Sequence, residues 1–170
     1  MTEPAQLRAL PDDRRRVAPP GDPLTNARAF LTEHHTLDGH LLIAHQDGEW
    51  RRWTGRSWQL LDVEVLERGL YDHFEDARYT KTTARGDVDN DFNPTKSTIA
   101  DLVHAIRAQA HIPAELRPPA WTDQPDGTAP AHRYIPCRNG LLDMDTRKLI
   151  PHPPAFFNFQ TPPFDHHPTA

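Results

Sequence analysis

A chain of 170 residues with 36% hydrophobic residues and a mean hydropathy of -0.74 has material for one domain of ordinary size around a modest core, and it excludes a second full catalytic domain. A net charge of -5 and a pI near 6.1 exclude a general nucleic-acid coating protein, because phosphate binding needs a basic field. The one cysteine, Cys137, excludes an internal disulfide framework and any zinc site built on several thiolates.

Residues 1–22 carry Pro4, Pro11, Pro19 and Pro20, and Asp12 to Arg16 sit together without an aromatic anchor, which predicts a disordered, solvated tail. From Leu24 to Thr36 the spacing of Ala27, Phe30 and Leu31 predicts a short helix, with Asp22 or Thr25 near its start. Leu41 to His45 reads as a strand, Gln46-Asp47-Gly48 as a turn, and Trp50 to Thr54 as a second strand. Gly55 opens a further turn before Trp58, giving a small meander.

Over residues 62–79, Val63, Leu66, Leu70 and Phe74 recur at helical spacing behind Asp62, a candidate N-cap. Residues 80–94 read as polar and irregular. A second strong helix follows Thr95 or Ser97, with Ile99, Leu102, Val103 and Ile106 on one stripe and Pro113 beyond its end. Of the 18 prolines, 12 lie from Pro113 onward, so no long helix fits there. Strands are expected at Arg133 to Cys137, Leu141 to Met144 and Lys148 to Ile150, with a turn at Asp145 to Arg147. The class is α+β: two main amphipathic helices packed with small antiparallel sheets, and a proline-rich C-terminal third.

No apolar run approaches the roughly 20 residues of a membrane helix, and the amino terminus lacks a signal-peptide core, so the expected location is cytoplasmic with no membrane partner. The sequence contains no Gly-Lys pair and hence no phosphate-cradling P-loop. Asp87, Asp89 and Asp91 alternate as in a cation loop, but Phe92 and Thr98 stand where an EF-hand needs glycine and glutamate. An acidic solvated loop is the reading, with a metal-dependent nuclease or primase as the enzymatic alternative. Among eleven histidines, His34 and His35 are adjacent, His40 and His45 are five apart, and none forms a familiar tetrahedral set with Cys137, so neither a metal nor a cofactor is expected. Cys137 reads as a small buried hydrophobe.

The stretch Trp50 to Trp58 interleaves three indoles with Arg51, Arg52 and Arg56. Such a ribbon suits single-stranded DNA, bases stacking on rings while arginines hold phosphates, and it names Arg51, Arg52, Trp53, Arg56 and Trp58 as candidate DNA-binding residues. Strand alternation, burying one tryptophan face and leaving the arginines in water, gives the same pattern without a ligand.

A strand ending in Ile135, then N-G-L-L-D-M-D-T-R-K-L-I-P-H-P-P, the aromatic run Phe156, Phe157 and Phe159, and T-P-P-F-D-H-H-P-T-A resemble the domain that precedes the superfamily 3 helicase in phage, plasmid and poxvirus primase-helicases. The likeness extends back through P-P-A-W-T, the two amphipathic helices and W-T-G-R-S-W, covering roughly residues 40–170. It implies a DNA-replication module of a phage, plasmid or other mobile element that has no catalytic residue of its own, adjoins an ATP-driven hexameric helicase, and assists its assembly or its engagement of DNA. DNA and a superfamily 3 helicase domain or subunit are the implied partners, with homo-oligomers possible in such a ring. Asn139, Gly140, Leu142, Asp143, Pro151 and His152 are the motif residues, read as structural: Asn139-Gly140 bends the chain into a hairpin reversed at Asp145-Thr146. Arg147 stands where relatives usually carry glycine, and Pro153 where serine is common. The expected division is a tail over 1–22, the primase-helicase-associated domain over 23–154, and an extended tail over 155–170 leading toward a helicase that the chain lacks, as in a fragment or a truncated gene product.

Overall fold

Asp22 accepts a hydrogen bond from the Thr25 backbone N–H at 3.1 Å and Pro23 takes the first helical position, so α1 (Pro23–His34) begins where its orphan donors are met. The structure, a computed structural model, describes residues 13–124 and 127–167. After α1, the two-residue strands β1 (Thr36–Leu37) and β2 (His40–Leu41) lead into the meander β3 (Ile43–Gln46), β4 (Glu49–Trp53) and β5 (Trp58–Leu60). Then come α2 (Val63–Phe74), the hairpin β6 (Arg78–Thr83) and β7 (Gly86–Asp91), and α3 (Lys96–Gln109), whose start is capped by the Thr95 hydroxyl accepting from the Thr98 N–H. The C-terminal third holds β8 (Ala120–Trp121), a 3-10 turn (Ala131–Arg133), β9 (Tyr134–Cys137), β10 (Gly140–Asp143), β11 (Leu149–Ile150) and β12 (Phe156–Phe157). The class is α+β, three helices with several small antiparallel sheets.

The helical stripes meet in one core. Helix α3 packs on both α1 and α2, and Phe30, Leu70, Phe74, Leu102 and Ile106 are all buried there. Helix α2 stops at Phe74, not near residue 79: the apolar repeat ends there, and the Arg78 backbone is engaged by Arg15 and Val17.

The meander is covered on both faces. Its hairpin closes through Asp47 and Gly48, which take φ of +51° and +83°, the two-residue turn that matches strand twist. The register sets Ile43 opposite Arg52 and His45 opposite Trp50 on one face, and Ala44 opposite Arg51 and Trp53 opposite Trp58 on the other. Ile43 and Trp50 join the helical core, whereas Ala44 and Trp58 pack with Ile112 and Phe157 in a second core. The C-terminal residues that make this second core are not a tail. Phe156 and Phe157 pair with Trp121 and Ala120, the Trp58 N–H donates to the Asn158 carbonyl at 2.8 Å, and the Trp58 indole N–H donates to the Pro154 carbonyl at 3.2 Å. Proline does keep this strap extended, but its aromatic side chains are interior ones.

Residues 80–94 were expected as irregular, yet residues 78–91 form a hairpin, whose apolar signal is weak because most of its pairs are polar. Thr80 lies opposite Asp89 and donates to it at 2.8 Å, Thr82 lies opposite Asp87 and donates at 2.7 Å, and Arg78 lies opposite Asp91 at 3.3 Å. Phe92 then stacks on Phe74, tying the hairpin to the helices. Residues 13–22, expected as part of a solvated tail, lie along this hairpin: the Val17 N–H donates to the Arg78 carbonyl, the Arg78 N–H to the Arg15 carbonyl, and Arg14 and Arg16 pair with Asp91 and Asp89. The buried Asn26 amide exchanges hydrogen bonds with the Ala18 backbone and fixes the same segment to α1. Residues 1–12 of that expectation lie outside the described residues.

The Asp89 carboxyl is held at about 2, first by the hydrogen bond from Arg16 and then by that from Thr80. Its folded value is depressed below the ordinary carboxylate range, so its contribution is present above about pH 4 and is lost as pH falls through about 2. The protection factor of the Val17 amide, referred to the intrinsic exchange rate at each pH, should fall as pH drops through that window in the parent chain and lose this pH dependence in Asp89→Asn. A carboxyl titration near 4 would remove the pairing from the account.

Candidate functional site

The residues nominated for DNA binding divide by strand alternation. Trp58 is 3% exposed and Trp50 6%, so neither indole can stack on a base, and Trp53 is half-buried against Trp58 with ring centroids 5.9 Å apart. Arg51 lies 3.7 Å over the Phe159 ring and pairs with Glu49, its side chain only 13% exposed. The ribbon is therefore not an open stacking platform: a sheet buried on two faces turns its rings inward. Arg52 and Arg56 remain exposed, and neither makes a salt bridge among the described residues.

Arg56 lies at the rim of an open groove of about 840 Å³, shared with Gln59, Arg138, Phe159 and Thr161. The far wall is fixed to the near one, since the Thr161 hydroxyl donates to the Arg56 carbonyl at 3.1 Å. Arg138 grips Asp165 through two hydrogen bonds, one of them at 2.9 Å, and this contact holds the Asp165 carboxyl below its usual range. The groove is polar and carries two guanidinium groups, one of them neutralised. Sequence spacing could not find it, because its walls come from residues 54–59 and 159–163.

The motif residues build the adjoining three-stranded sheet, ordered β11-β10-β9. Its first bend is made by Arg138 and Asn139, while Gly140 already pairs with Cys137 in the strand. A Cβ on Gly140 would stand 2.5 Å from the Ile150 carbonyl oxygen, and its φ of +153° disfavours any side chain. Asn139 pairs its amide with the His166 backbone, accepting from the N–H at 3.0 Å and donating to the carbonyl at 2.9 Å. Leu142 sits half-buried between Ile135 and Leu149. Asp143 accepts from the Asp145 and Thr146 N–H groups and pairs with Arg133, and these contacts outweigh the opposing effect of burial and lower its carboxyl. Pro151 is exposed, and the His152 ring bonds the Cys137 carbonyl through Nε2 at 2.7 Å. Burial depresses the His152 ring and raises the Cys137 thiol, the chemistry of interior groups.

Asp87, Asp89 and Asp91 are spent on Thr80, Thr82 and Arg78 of the hairpin and on Arg14 and Arg16 of the segment before α1, and they form no shared cluster of metal-ligating atoms among the described residues. The histidines differ from expectation: His34 Nε2 lies 2.9 Å from His73 Nδ1, although the two are 39 residues apart. Burial, and next the Arg15 charge, lower His73 to about 4. Sequence spacing could not pair His34 with His73, because the approach of the ends of α1 and α2 is a tertiary fact.

Taken together, a helical core and a strapped tryptophan sheet, followed by the Asn139-to-His152 hairpin, form one structural unit. The chain matches the family model described as D5 N terminal like over residues 27–170, and it belongs to that family, the domain found in phage, plasmid and poxvirus primase-helicases. A search of curated proteins finds no match. Among the described residues no helix is long and apolar enough to cross a membrane.

Arg147, in the turn between β10 and β11, takes a φ of +54°. That conformation costs a non-glycine residue about 1–2 kcal/mol, against about 0.5–1 kcal/mol of chain entropy lost by a glycine. Arg147→Gly should therefore raise stability by about 0.5–1 kcal/mol, whereas Gly140→Ala should lower it by about 1–3 kcal/mol through overpacking. Urea midpoints at constant slope check both signs.

Proposed function

We propose that this chain is a DNA-replication module that adjoins an ATP-driven hexameric primase-helicase of superfamily 3 in the cytoplasm and assists the ring's assembly or its engagement of DNA. The observation that carries the reading is the family match over residues 27–170, which takes in both cores and the motif hairpin. On this reading the chain acts by docking, with α1 to α3 as scaffold, and the acidic triplet, engaged by hairpin threonines and by Arg14 and Arg16, gives no support to a metal-dependent nuclease or primase.

A second reading, direct binding of single-stranded DNA, is favoured by one feature: Arg52 and Arg56 are exposed cations on the rim of the strapped sheet, and Arg56 faces the polar groove. Phosphates then supply the affinity and the buried tryptophans supply none.

One comparison separates the two. A superfamily 3 helicase module fused to this chain should form hexamers and bind forked DNA more tightly than the module alone, as read by sedimentation and fluorescence anisotropy. Equal assembly and equal affinity with and without the chain would contradict the adjoining role. In the isolated chain, replacing Arg52 and Arg56 with alanine together should reduce the slope of log affinity against log salt by about 1 to 1.5, the value for two phosphate contacts on a single strand. An unchanged slope would remove direct binding.

A further inference from the structure

Glu33 and His34 close α1, and His73 lies one residue before the end of α2. One ligand atom from each falls within 4.8 Å of the others. His34 Nε2 stands 2.9 Å from His73 Nδ1 and 3.5 Å from Glu33 Oε1. Two ligand atoms each about 2.0–2.1 Å from a tetrahedral divalent ion are separated by roughly 3.3–3.4 Å. Both observed edges therefore lie within about half an ångström of what such an ion requires.

We propose that Glu33, His34 and His73 form a site for a zinc-class divalent cation that clamps the end of α1 to the end of α2. Two imidazoles and one carboxylate are a donor set that suits zinc, cobalt or nickel over magnesium or calcium. The outer partners that orient metal ligands are also present. Arg15 grips the Glu33 carboxylate through two hydrogen bonds, one of them at 2.9 Å, and the Phe30 ring lies 5.1 Å from the His34 ring and 5.3 Å edge-on to that of His73. His34 and His73 both line a cavity of about 430 Å³, which leaves room for water to complete the coordination. The site shares no lining residue with the groove at Arg56 and does not depend on the replication role.

Two imidazoles can also approach to 2.9 Å through a direct hydrogen bond, and the experiment is chosen to tell these apart. The full chain is titrated with Co(II), read by visible d–d absorption, and then back-titrated with Zn(II). The proposal expects one equivalent of cobalt in a low-coordinate spectrum, displaced by zinc, with a rise in Tm on loading. His34 and Glu33 are exposed, so His34→Gln and Glu33→Gln should fold, which the metal-free Tm verifies, and each should weaken binding at least tenfold. His104→Gln, an exposed position on α3, should leave binding unchanged. Absence of stoichiometric cobalt binding, or binding that survives both Glu33→Gln and His34→Gln, would overturn the site and leave the histidines as a hydrogen-bonded pair.

Discussion

Large apolar side chains stand on both faces of the three-stranded meander, and neither face can be left to water. Trp50 and Ile43 commit one face to the helices; Trp58 and Ala44 commit the other to Ile112 and Phe157. Each aromatic side chain buries about 150–250 Å², which at about 25 cal/mol per Å² is a gross gain near 4–6 kcal/mol, an upper bound because the unfolded chain is partly collapsed. The exposed ion pairs between residues 14–16 and the hairpin, such as Arg14 with Asp91, are screened by solvent and contribute little by comparison. The aromatic strap therefore decides whether the C-terminal third is part of the domain, and the ion pairs decide only how closely the residues before α1 lie on the hairpin.

That constraint shapes what the surface offers. A sheet closed on two sides turns Trp50 and Trp58 inward and leaves Trp53 half-buried, while the cations at its rim stay exposed. Arg51 is withdrawn over Phe159, while Arg52 and Arg56 stay in solvent. The same strap brings Asp165 to Arg138 and His166 to Asn139, so the family motif serves as an anchor for the C-terminal segment. The exposed cations form a local basic rim on a chain whose net charge is -5.

Helices α2 and α3 were legible because Leu66, Leu70 and Phe74, and Ile99, Leu102 and Ile106, repeat at the helical period. Strands β9, β10 and β11 were legible from turn residues, and the α+β class followed from both. The hairpin at 78–91 was not, since Thr80, Thr82, Asp87 and Asp89 satisfy one another across the strands and leave little apolar alternation to detect; the run of threonines with Tyr79 was the available signal. Residues 13–22 and 155–167 were misread for a related reason: proline marks extended chain, and composition cannot say whether extended chain is solvated or strapped to a core. The burial of the Trp50–Trp58 ribbon was half legible. Alternation was visible in the ribbon, but that both faces were occupied depended on Phe157, which lies about a hundred residues away.

The central claim is that the strap and the helices share one cooperative structure through the meander. Residue-resolved hydrogen exchange on Phe157→Ala tests it most directly. If the account is right, amides of β3 to β5 and of α3 lose protection together, at the same denaturant concentration as those of β12. If residues 120–167 alone become exchangeable while the meander and α3 keep the protection of the parent chain, the two cores are independent and the claim is contradicted.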